Sequence, residues 1–270
     1  MSVKVSANKN LGQHFLRDQK VIKTIANDFA NVSDALIEVG PGPAVLTPTL
    51  AGHKIPFHVI EKDERFPEIL VSHVKEQNIH LTDALEVDYS EFIQEHFPDA
   101  KNVWLVSNLP YNVGTPLTIL FLKCPLIKYM TLMYQKEVAE KIYSFQHKED
   151  NAANSLGALL LTYFEVKLLL KVPPGAFSPP PKVDSVVLSY VRIENPVIPF
   201  SELNKFEKFL RALFAQKRKQ MGNVLKTAYS SAQLSEAFAK NNLTSQMRAE
   251  VLTLEQIQQL YRTLHPMEQA

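Results

Sequence analysis

The stretch "ALIEVGPGPAVLT" (residues 35–47) decides the fold class. An apolar run ends in two glycines, Gly40 and Gly42, with one residue between them. Glycine allows the backbone to turn tightly and to come close to a bound ligand. Pro43 suits the first turn of a following helix, where its missing N–H is no loss. The stretch therefore predicts a buried strand, a ligand-binding loop and then a helix.

Similar apolar runs recur along the chain, and amphipathic sequences separate most of them. Continuous apolar strands that alternate with helices indicate a parallel sheet covered on both faces. The strand candidates are residues 35–39, 57–61, 79–82, 103–107 and 129–134. The sequence therefore predicts an α/β fold with a parallel sheet.

Two further β-type runs, residues 163–172 and 185–193, have no helical pattern between them. The joining segment "PPGAFSPPPKVD" (173–184) contains too much proline for a helix, so we expect the two runs to pair antiparallel at a sheet edge. Beyond them the pattern is helical to the end of the chain. These patterns predict a larger domain over residues 1–195 and a small all-helical domain over residues 200–270.

Length and composition are typical of a globular protein. Of the 270 residues, 46% are hydrophobic and 21% are charged. The single cysteine, Cys124, excludes an internal disulfide and suits a reducing compartment. No apolar run approaches the roughly 20 residues that span a bilayer, and the N-terminal segment lacks the apolar core of a signal peptide. We therefore expect a cytoplasmic, monomeric protein without a membrane anchor.

The net charge of +1 conceals a segregation of charge along the chain. Residues 1–23 contain five Lys or Arg and one acid, and residues 201–230 contain seven Lys or Arg and two acids. Residues 34–100 contain thirteen acids and four Lys or Arg. A charged segment is in many proteins only a solvated face. Basic segments on either side of an acidic middle also suit a polyanionic partner that contacts the two ends.

Two acids at the ends of successive predicted strands indicate the ligand. Glu61 follows Gly42 by nineteen residues, a spacing at which a carboxylate can accept hydrogen bonds from both ribose hydroxyls. Asp83 ends the third strand, where it can accept from the exocyclic amine of an adenine. Val45 stands where the third glycine of the dinucleotide fingerprint would be, so no pyrophosphate site is indicated. The combination favours an adenosine without a diphosphate, S-adenosylmethionine rather than NAD.

The fourth predicted strand ends in "VSNLPYNV" (residues 106–113), which supplies groups for a reaction at an adenine. The N6 amine is a poor nucleophile because its lone pair is delocalised into the ring. Hydrogen bonds from N6 to the Asn108 side-chain oxygen and the Leu109 carbonyl would favour a pyramidal nitrogen that can attack a methyl group. Pro110 would keep the turn rigid, and Tyr111 would stack on the base. This chemistry requires no covalent intermediate and no metal, and no metal site is predicted.

A second aromatic residue, Phe177, lies in the proline-rich segment. An exposed ring held in place by prolines would be able to cover the opposite face of the base. The alternative interpretation is a core phenylalanine beneath a loop. The sequence leaves both interpretations open.

Several motifs, taken together and in this order, are specific to one family. They are "NLGQHFLRDQ", "EVGPG", "VIEKD", "TDAL", "SNLPYNVGTPL", "YQKEVAEKI", "VPPGAFSPPPKVDSVVL", "LFAQKRKQMGNVLK" and "MRAE". Over nearly its whole length the chain resembles the KsgA-type small-subunit rRNA adenine N6-dimethyltransferases. The resemblance implies a Rossmann-like, S-adenosylmethionine-dependent methyltransferase fold with a small C-terminal helical domain.

The resemblance also implies a reaction and a set of site residues. The reaction is the dimethylation of two adjacent adenosines near the 3′ end of 16S rRNA, on a pre-small-subunit particle. By position, the cofactor residues are Gln13, Phe15 and Leu16 on the methionine side, Gly40 and Gly42 in the glycine loop, Glu61 at the ribose and Asp83 at the adenine. The catalytic motif is Asn108, which also belongs to the cofactor site, with Leu109, Pro110 and Tyr111, and Phe177 is the aromatic that faces the base.

The chain departs from the family pattern at three places. Residues 114–115 are Gly-Thr where Ser-Thr or similar is common, and "DNAANSLGALLL" replaces a segment that usually carries an arginine. Gly222 stands where a basic residue is common, and glycine weakens a helix by about 1 kcal/mol relative to alanine. We therefore expect RNA affinity to depend on Lys217, Arg218 and Lys219.

Other functions stay open at the level of sequence. A methyltransferase for 23S rRNA or for DNA adenine is one alternative, although DNA enzymes typically carry a second proline where this chain has Leu109. A ribosome-assembly factor whose binding matters more than its chemistry is another. The intact Asn108 and Glu61 argue against a dead enzyme, but a dual role stays open. A nicotinamide dehydrogenase is disfavoured because the third glycine and a hydride-chemistry residue are missing.

Overall fold

The computed structural model describes residues 13–110, 112–147 and 152–266. The strands are β1 (Phe15–Leu16), β2 (Ala35–Val39), β3 (Phe57–Glu61), β4 (Ile79–Leu81), β5 (Val103–Asn108), β6 (Ile127–Gln135), β7 (Phe164–Val172), β8 (Phe177–Ser178) and β9 (Ser185–Arg192). The α-helices are α1 (Gln19–Ala26), α2 (Thr47–Ala51), α3 (Pro67–Leu70), α4 (Tyr89–His96), α5 (Gly114–Lys123), α6 (Lys136–Gln146), α7 (Ser155–Tyr163), α8 (Leu203–Leu213), α9 (Met221–Leu225), α10 (Ser231–Lys240) and α11 (Leu254–Leu264). None of the helices in these ranges has the length and apolar character needed to cross a membrane.

Within the described residues, seven strands form one sheet in the order β4-β3-β2-β5-β6-β9-β7. Neighbouring strands from β4 to β6 run parallel, and β9 runs antiparallel to β6. The predicted α/β fold and its five parallel strands are therefore confirmed. The runs predicted at residues 163–172 and 185–193 form the neighbours β7 and β9, and β7 lies at the edge.

The central strands are buried, as their continuous apolar sequences predict. Every residue of β2 and of β3 is buried. On β5 the indole of Trp104 is fully buried, and its N–H donates to Thr131 Oγ1 on β6 over 2.9 Å. Because its one polar atom has a partner, this large ring can occupy the core without a desolvation penalty.

The strand order reverses at β2. From β2 the chain continues through β3 to β4, which lies at one edge of the sheet. It then crosses back over β2 to form β5 and β6, which lie towards the opposite edge. At such a reversal the loops after the two central strands diverge and leave a crevice at their carboxyl ends, where open α/β sheets bind ligands. The loop after β2 begins at Gly40 and the loop after β5 at Leu109. The topology thus brings the two strongest sequence motifs to one place.

A second, two-stranded sheet that the sequence did not predict joins β1 to β8. Phe15 pairs with Ser178, and Leu16 pairs with Phe177. Beside this sheet the backbone N–H of Arg17 donates to the carbonyl of Ala176 over 2.7 Å. Residues 15–17 and the proline-rich segment, which lie about 160 residues apart in sequence, are therefore neighbours.

Contacts divide the chain into two compact units, residues 1–139 with 166–192, and residues 140–165 with 193–270. The second unit includes α7, which packs against α8 and α11. One of its buried links is the hydrogen bond from Gln258 Nε2 to Thr162 Oγ1, of 3.0 Å. The units differ from the expected domains in residues 140–165, because the apolar α7 packs on the C-terminal helices. The expected domain boundary between residues 195 and 200 stays a prediction.

Candidate active site

A cavity of about 180 Å³ opens at the carboxyl ends of β2, β3 and β5. Its walls come from segments that are distant in sequence but adjacent at the reversal of strand order. Among the residues that line it are ten of the sequence candidates: Gln13, Phe15, Leu16, Gly40, Gly42, Glu61, Asp83, Asn108, Leu109 and Pro110. Tyr111 lies outside the described residues. The structure therefore places most of the predicted cofactor and catalytic residues around one space.

The glycine loop has the backbone conformation that its sequence predicts. Gly40 has φ +69° and Gly42 has φ +56°, which lie in the left-handed region that side chains disfavour. A Cβ atom added to Gly42 would lie 3.6 Å from Cε1 of Phe15. The backbone N–H of Gly40 donates to the carbonyl of Ile60 on β3 over 2.9 Å. The loop is thus fixed close to Phe15 and to the end of β3.

Glu61 is buried at the end of β3 and accepts three backbone hydrogen bonds. Oε1 accepts from the N–H groups of Lys62 and Asp63, and Oε2 accepts from the N–H of Gly42, each over 2.8 Å. Burial raises the pKa of Glu61, and the three N–H groups oppose that rise. These bonds fix the orientation of the carboxylate at the cavity wall.

Asp83 forms an ion pair that the sequence did not predict. Its Oδ2 contacts Lys62 Nζ, and its Oδ1 accepts from the N–H of Leu85 over 3.0 Å. The ammonium of Lys62 lowers the pKa of Asp83, so the side chain stays a carboxylate. The Lys62 side chain is 62% exposed, and both residues line the cavity. A ligand amine that donates a hydrogen bond to Asp83 therefore shares this carboxylate with the ammonium group of Lys62.

Glu38 is a site residue that the sequence reasoning missed. It is the fourth of the five residues of the buried strand β2, only 2% exposed, and it lines the cavity. Its Oε2 has no hydrogen-bond partner. Burial raises the pKa of Glu38 to about 8; the Thr47 hydroxyl opposes this rise, and the nearby Glu61 adds to it. A cationic group in the cavity would give this oxygen a partner and favour its ionised form. The sequence feature that could have identified Glu38 is an acidic residue inside an otherwise apolar strand.

Gln13 is held at the cavity wall by a charged pair. Its Nε2 donates to Asp63 Oδ2 over 2.9 Å, and its Oε1 accepts from Arg65 Nη2 over 3.1 Å. Arg65 Nε also donates to Asp63 Oδ1 over 2.7 Å. The guanidinium of Arg65 lowers the pKa of Asp63 to about 2. Asp63 and Arg65 therefore bind both the nitrogen and the oxygen of the Gln13 amide. The contact of Gln13 with the cofactor stays a prediction.

Asn108 is the last residue of β5 and is half-buried. Its Nδ2 donates to the carbonyl of His14 over 3.3 Å, so Oδ1 is the end of the amide that a ligand N–H can use. The preceding Ser107 donates from Oγ to the carbonyl of Val39 over 2.7 Å. This bond joins the ends of β5 and β2 directly. The Leu109 side chain is buried beneath the turn, which anchors the backbone after Asn108.

Phe177 is not the exposed ring that one interpretation of the sequence expected. It is 3% exposed and belongs to a hydrophobic cluster with Leu16 and Val172. The pairing of β8 with β1 accounts for this burial, since it places Phe177 directly opposite Leu16. The expectation of exposure is therefore wrong. The contact with a target base that the resemblance implies stays a prediction.

Lys217, Arg218 and Lys219 are all exposed and lie in the turn between α8 and α9. Arg218 has φ +67°, and its backbone N–H donates to Glu250 Oε1 over 3.1 Å. The turn is thus fixed by its backbone, while the three cationic side chains reach into solvent. Their proposed contact with RNA remains to be tested.

The structure explains two of the departures from the family pattern. At Gly222 an added Cβ would lie 2.7 Å from Cβ of Ser245, because the Gly222 N–H donates to the Ser245 carbonyl over 2.9 Å. At the start of α7, Asn154 caps the helix by accepting from the N–H of Gly157 over 2.8 Å. A Cβ on Gly157 would lie 3.0 Å from the Lys141 carbonyl. Both glycines therefore permit close backbone contacts.

The chain is similar to known proteins over nearly its whole length. The model of the family described as ribosomal RNA adenine dimethylase matches residues 4–265. The protein named ribosomal RNA small subunit methyltransferase A of Alkaliphilus oremlandii is 36% identical over 259 residues, which cover 92% of this chain and 88% of that protein. The protein of the same name from Clostridium perfringens is 37% identical over 255 residues, which cover 92% of this chain and 87% of that protein.

Two solved structures share the fold. A dimethyladenosine transferase from Plasmodium falciparum superposes with a TM-score of 0.68 at 21% identity, over 92% of this chain and 96% of that one. The 23S rRNA methyltransferase ErmE superposes with a TM-score of 0.67 at 24% identity, over 93% of this chain and 99% of that one. These likenesses confirm the Rossmann-like methyltransferase fold. The match to the family model and the curated relatives confirm the resemblance found in the sequence: the chain belongs to the ribosomal RNA adenine dimethylase family of S-adenosylmethionine-dependent methyltransferases.

Proposed function

We propose that this protein transfers methyl groups from S-adenosylmethionine to N6 of two adjacent adenosines near the 3′ end of 16S rRNA. The family and the names of its curated relatives support an rRNA substrate in the small subunit. The observation that carries the proposal is the cavity that gathers Glu61, Asp83 and Asn108 from the ends of three segments. We propose further that it acts as a monomer on a pre-small-subunit particle in the cytoplasm.

The residues at the cavity fit the cofactor. The orphaned Oε2 of buried Glu38 suits a cationic ligand, and S-adenosylmethionine carries a sulfonium and an ammonium group. The left-handed Gly42 keeps the loop free of a side chain next to Phe15. In this proposal Glu61 holds the ribose hydroxyls, and Asp83 accepts from the adenine amine beside Lys62. When bound, the cofactor supplies an electrophilic methyl group on a positively charged sulfur.

The proposed catalytic role of Asn108 is to accept an N–H of the target N6 amine. The His14 carbonyl holds the amide by its nitrogen, which leaves Oδ1 as the acceptor. In this proposal the Leu109 carbonyl accepts the second N–H, so that the nitrogen becomes pyramidal and its lone pair is available. Since the amide is held before the substrate arrives, little reorganisation is required at the moment of reaction. We also propose that the ring of Tyr111 stacks on the target base.

Mass spectrometry of 16S rRNA from cells that lack this gene tests substrate and chemistry together. We expect the two adjacent N6-dimethyladenosines to be missing and to return when the wild-type gene is supplied. Asn108→Ala should fail to restore them, since one preorganised hydrogen bond to a reacting group contributes roughly 100- to 1000-fold in rate. Asn31→Ala, which alters an exposed amide in the turn before β2, is the control and should restore them.

Two results would overturn the proposal. Unchanged 16S rRNA modification in the deletion strain would exclude this substrate. Full restoration by Asn108→Ala would exclude the assigned role of the amide. Binding of S-adenosylmethionine to purified Asn108→Ala, measured by calorimetry, should stay within a few fold of wild type.

A further inference from the structure

Three histidines meet on the sheet at a position away from the cavity. His58 lies on β3, His80 on β4, and His96 is the last residue of α4. One ring nitrogen of each lies within 4.8 Å of the corresponding nitrogen of the others. The ring centroids are 4.6 Å apart for His58 and His96, 4.7 Å for His80 and His96, and 5.1 Å for His58 and His80. None of the three residues lines the cavity.

The strand register explains why these side chains converge. His80 pairs with Ile60 in the parallel ladder between β3 and β4. Side chains alternate between the two faces of a strand, so His58 and Ile60 share a face, and His80 shares it with them. The rings of Phe92, on α4, and of the adjoining Phe97 contact that of His58, which shows that α4 ends over this face. His96 therefore completes the set from above the sheet.

Two of the ring nitrogens are already close to each other. Nδ1 of His58 and Nε2 of His80 are 2.8 Å apart, so a proton on one nitrogen is shared with the lone pair of the other. Zinc–nitrogen bonds of about 2.0–2.1 Å in a tetrahedral site place two ligand nitrogens about 3.3 Å apart. Replacement of the shared proton by an ion thus requires this pair to open by about 0.5 Å and the two rings to rotate until both lone pairs point at the ion. The nitrogens of the three residues lie within 4.8 Å of one another, so the third has to approach by up to about 1.5 Å.

The surroundings of His58 and His80 favour the neutral imidazole, the form that binds metals. His58 is 8% exposed, and burial lowers its pKa to about 4, with smaller contributions from His96 and His80. Burial also lowers the pKa of His80, while the carboxylate of Glu95 opposes this effect. His80 and His96 are only half-buried, so an ion and a water ligand can reach the cluster from solvent.

We propose that His58, His80 and His96 bind one Zn²⁺ ion, with water as the fourth ligand. Three imidazoles in reach of one point are a donor set that suits Zn²⁺ among the ions available to proteins. The ion links β3, β4 and α4, and it therefore holds the edge strand β4 to its neighbour. Because β3 ends at Glu61 and β4 leads to Asp83, this link also supports the two strand ends that carry the cofactor residues.

Titration of the untagged protein with Zn²⁺, after removal of metal by a chelator, tests this proposal. Calorimetry should show one ion bound per chain. At a free Zn²⁺ concentration a hundred times the Kd, the Tm should rise by about 5–10 °C, because the ion binds the folded state only. Bound Co²⁺ should show the intense visible absorption of a tetrahedral site rather than the weak bands of the hydrated ion.

Substitutions identify the ligands. His96→Gln and His80→Gln should each lose stoichiometric binding and the rise in Tm, while the exposed His73→Gln should keep both. His96 is half-buried at a helix end, so the metal-free Tm of His96→Gln should stay close to wild type. The proposal is overturned if the wild type binds no stoichiometric Zn²⁺, if His96→Gln and His80→Gln bind it as the wild type does, or if His73→Gln loses it. In each of those cases the three rings serve only to pack the sheet.

Discussion

The backbone N–H of Gly42 donates to Oε2 of Glu61 over 2.8 Å, and this bond joins the loop after β2 to the end of β3. The residue that the sequence assigns to the ribose therefore also holds the glycine loop in place. Since its other oxygen accepts from Lys62 and Asp63, the carboxylate is oriented before any ligand binds. Loss of this group should affect the cofactor site in two ways, through the missing ligand contact and through a looser loop.

Glu61→Ala should weaken the binding of S-adenosylmethionine by roughly 10- to 100-fold, the effect of losing hydrogen bonds to a charged group. Calorimetry with the purified variant measures this. Glu61→Gln should have a smaller effect because it keeps one acceptor oxygen. The exposed Glu68→Ala removes the same charge from the neighbouring α3 and should bind as the wild type does. Equal affinities for Glu61→Ala and Glu68→Ala would refute the assignment to the ribose.

Neutral residues at Lys217, Arg218 and Lys219 should weaken binding to small-subunit particles and flatten its salt dependence. If each cation contacts one phosphate, the slope of log K against log salt should fall by about 2 to 3 in magnitude. The fold should persist, since Arg218 is tied to Glu250 by its backbone N–H. Filter-binding measurements over a range of salt concentrations give the slope.

The matched control for this charge removal is a triple substitution of exposed lysines in or directly after the acidic part of the chain. Lys54, Lys75 and Lys101 are exposed and supply the same change in net charge. Their replacement by glutamine should leave the salt slope unaltered. A slope that changes equally in both variants would mean that net charge, and not the turn between α8 and α9, determines the affinity.

Gly222→Ala should destabilise the second unit, although helix propensity alone predicts a gain of about 1 kcal/mol at this position of α9. The added Cβ would lie 2.7 Å from Cβ and 3.1 Å from the carbonyl oxygen of Ser245. Crowding of this kind costs about 1–3 kcal/mol. Urea denaturation of Gly222→Ala and of Gly175→Ala separates the two effects. Gly175 has no atom within 4 Å of an added Cβ, so its variant should not lose stability through crowding.

The stability of the metal-free protein should fall as the pH falls from about 6.5 to about 4. The pKa of His58 is lowered from 6.5 to about 4 in the folded state, so the unfolded chain binds more protons in this range. The stabilising contribution of the neutral ring is complete above pH 6.5 and is lost as the pH approaches 4. One such residue contributes a slope of at most about 1.4 kcal/mol per pH unit.

Urea denaturation of the wild type and of His58→Gln between pH 4 and pH 8, in the presence of a chelator, tests this effect. The free energy of unfolding should depend less steeply on pH in His58→Gln. In His73→Gln it should follow the wild type, because that residue is exposed. Parallel curves for the wild type and His58→Gln would contradict the assignment of the slope to the buried histidine.

Sequence reasoning located the cavity because its strongest signals are local. Gly40, Glu61, Asp83 and Asn108 each stand at or just after the end of an apolar run, and parallel strands place their carboxyl ends along one edge of a sheet. A local pattern and one topological rule therefore sufficed to bring these residues together. The helical character of the C-terminal region followed in the same way from its periodicity.

Sequence reasoning failed where a property depends on contacts between distant segments. The burial of Phe177 results from its pairing with Leu16, and the crowding at Gly222 results from Ser245. Neither partner is indicated by the residues on either side. Glu38 was overlooked for a related reason, since its significance comes from the missing partner of Oε2.

The sequence by itself thus determined the fold class, the order of the strands along the chain and the residues at their ends, because these follow from local hydrophobic pattern and backbone preference. Only the tertiary structure decided which side chains are buried, which charges are paired and which groups lack a partner. The convergence of His58, His80 and His96 is the clearest case. It depends on strand register and on the position of one helix end, and no short stretch of sequence contains either.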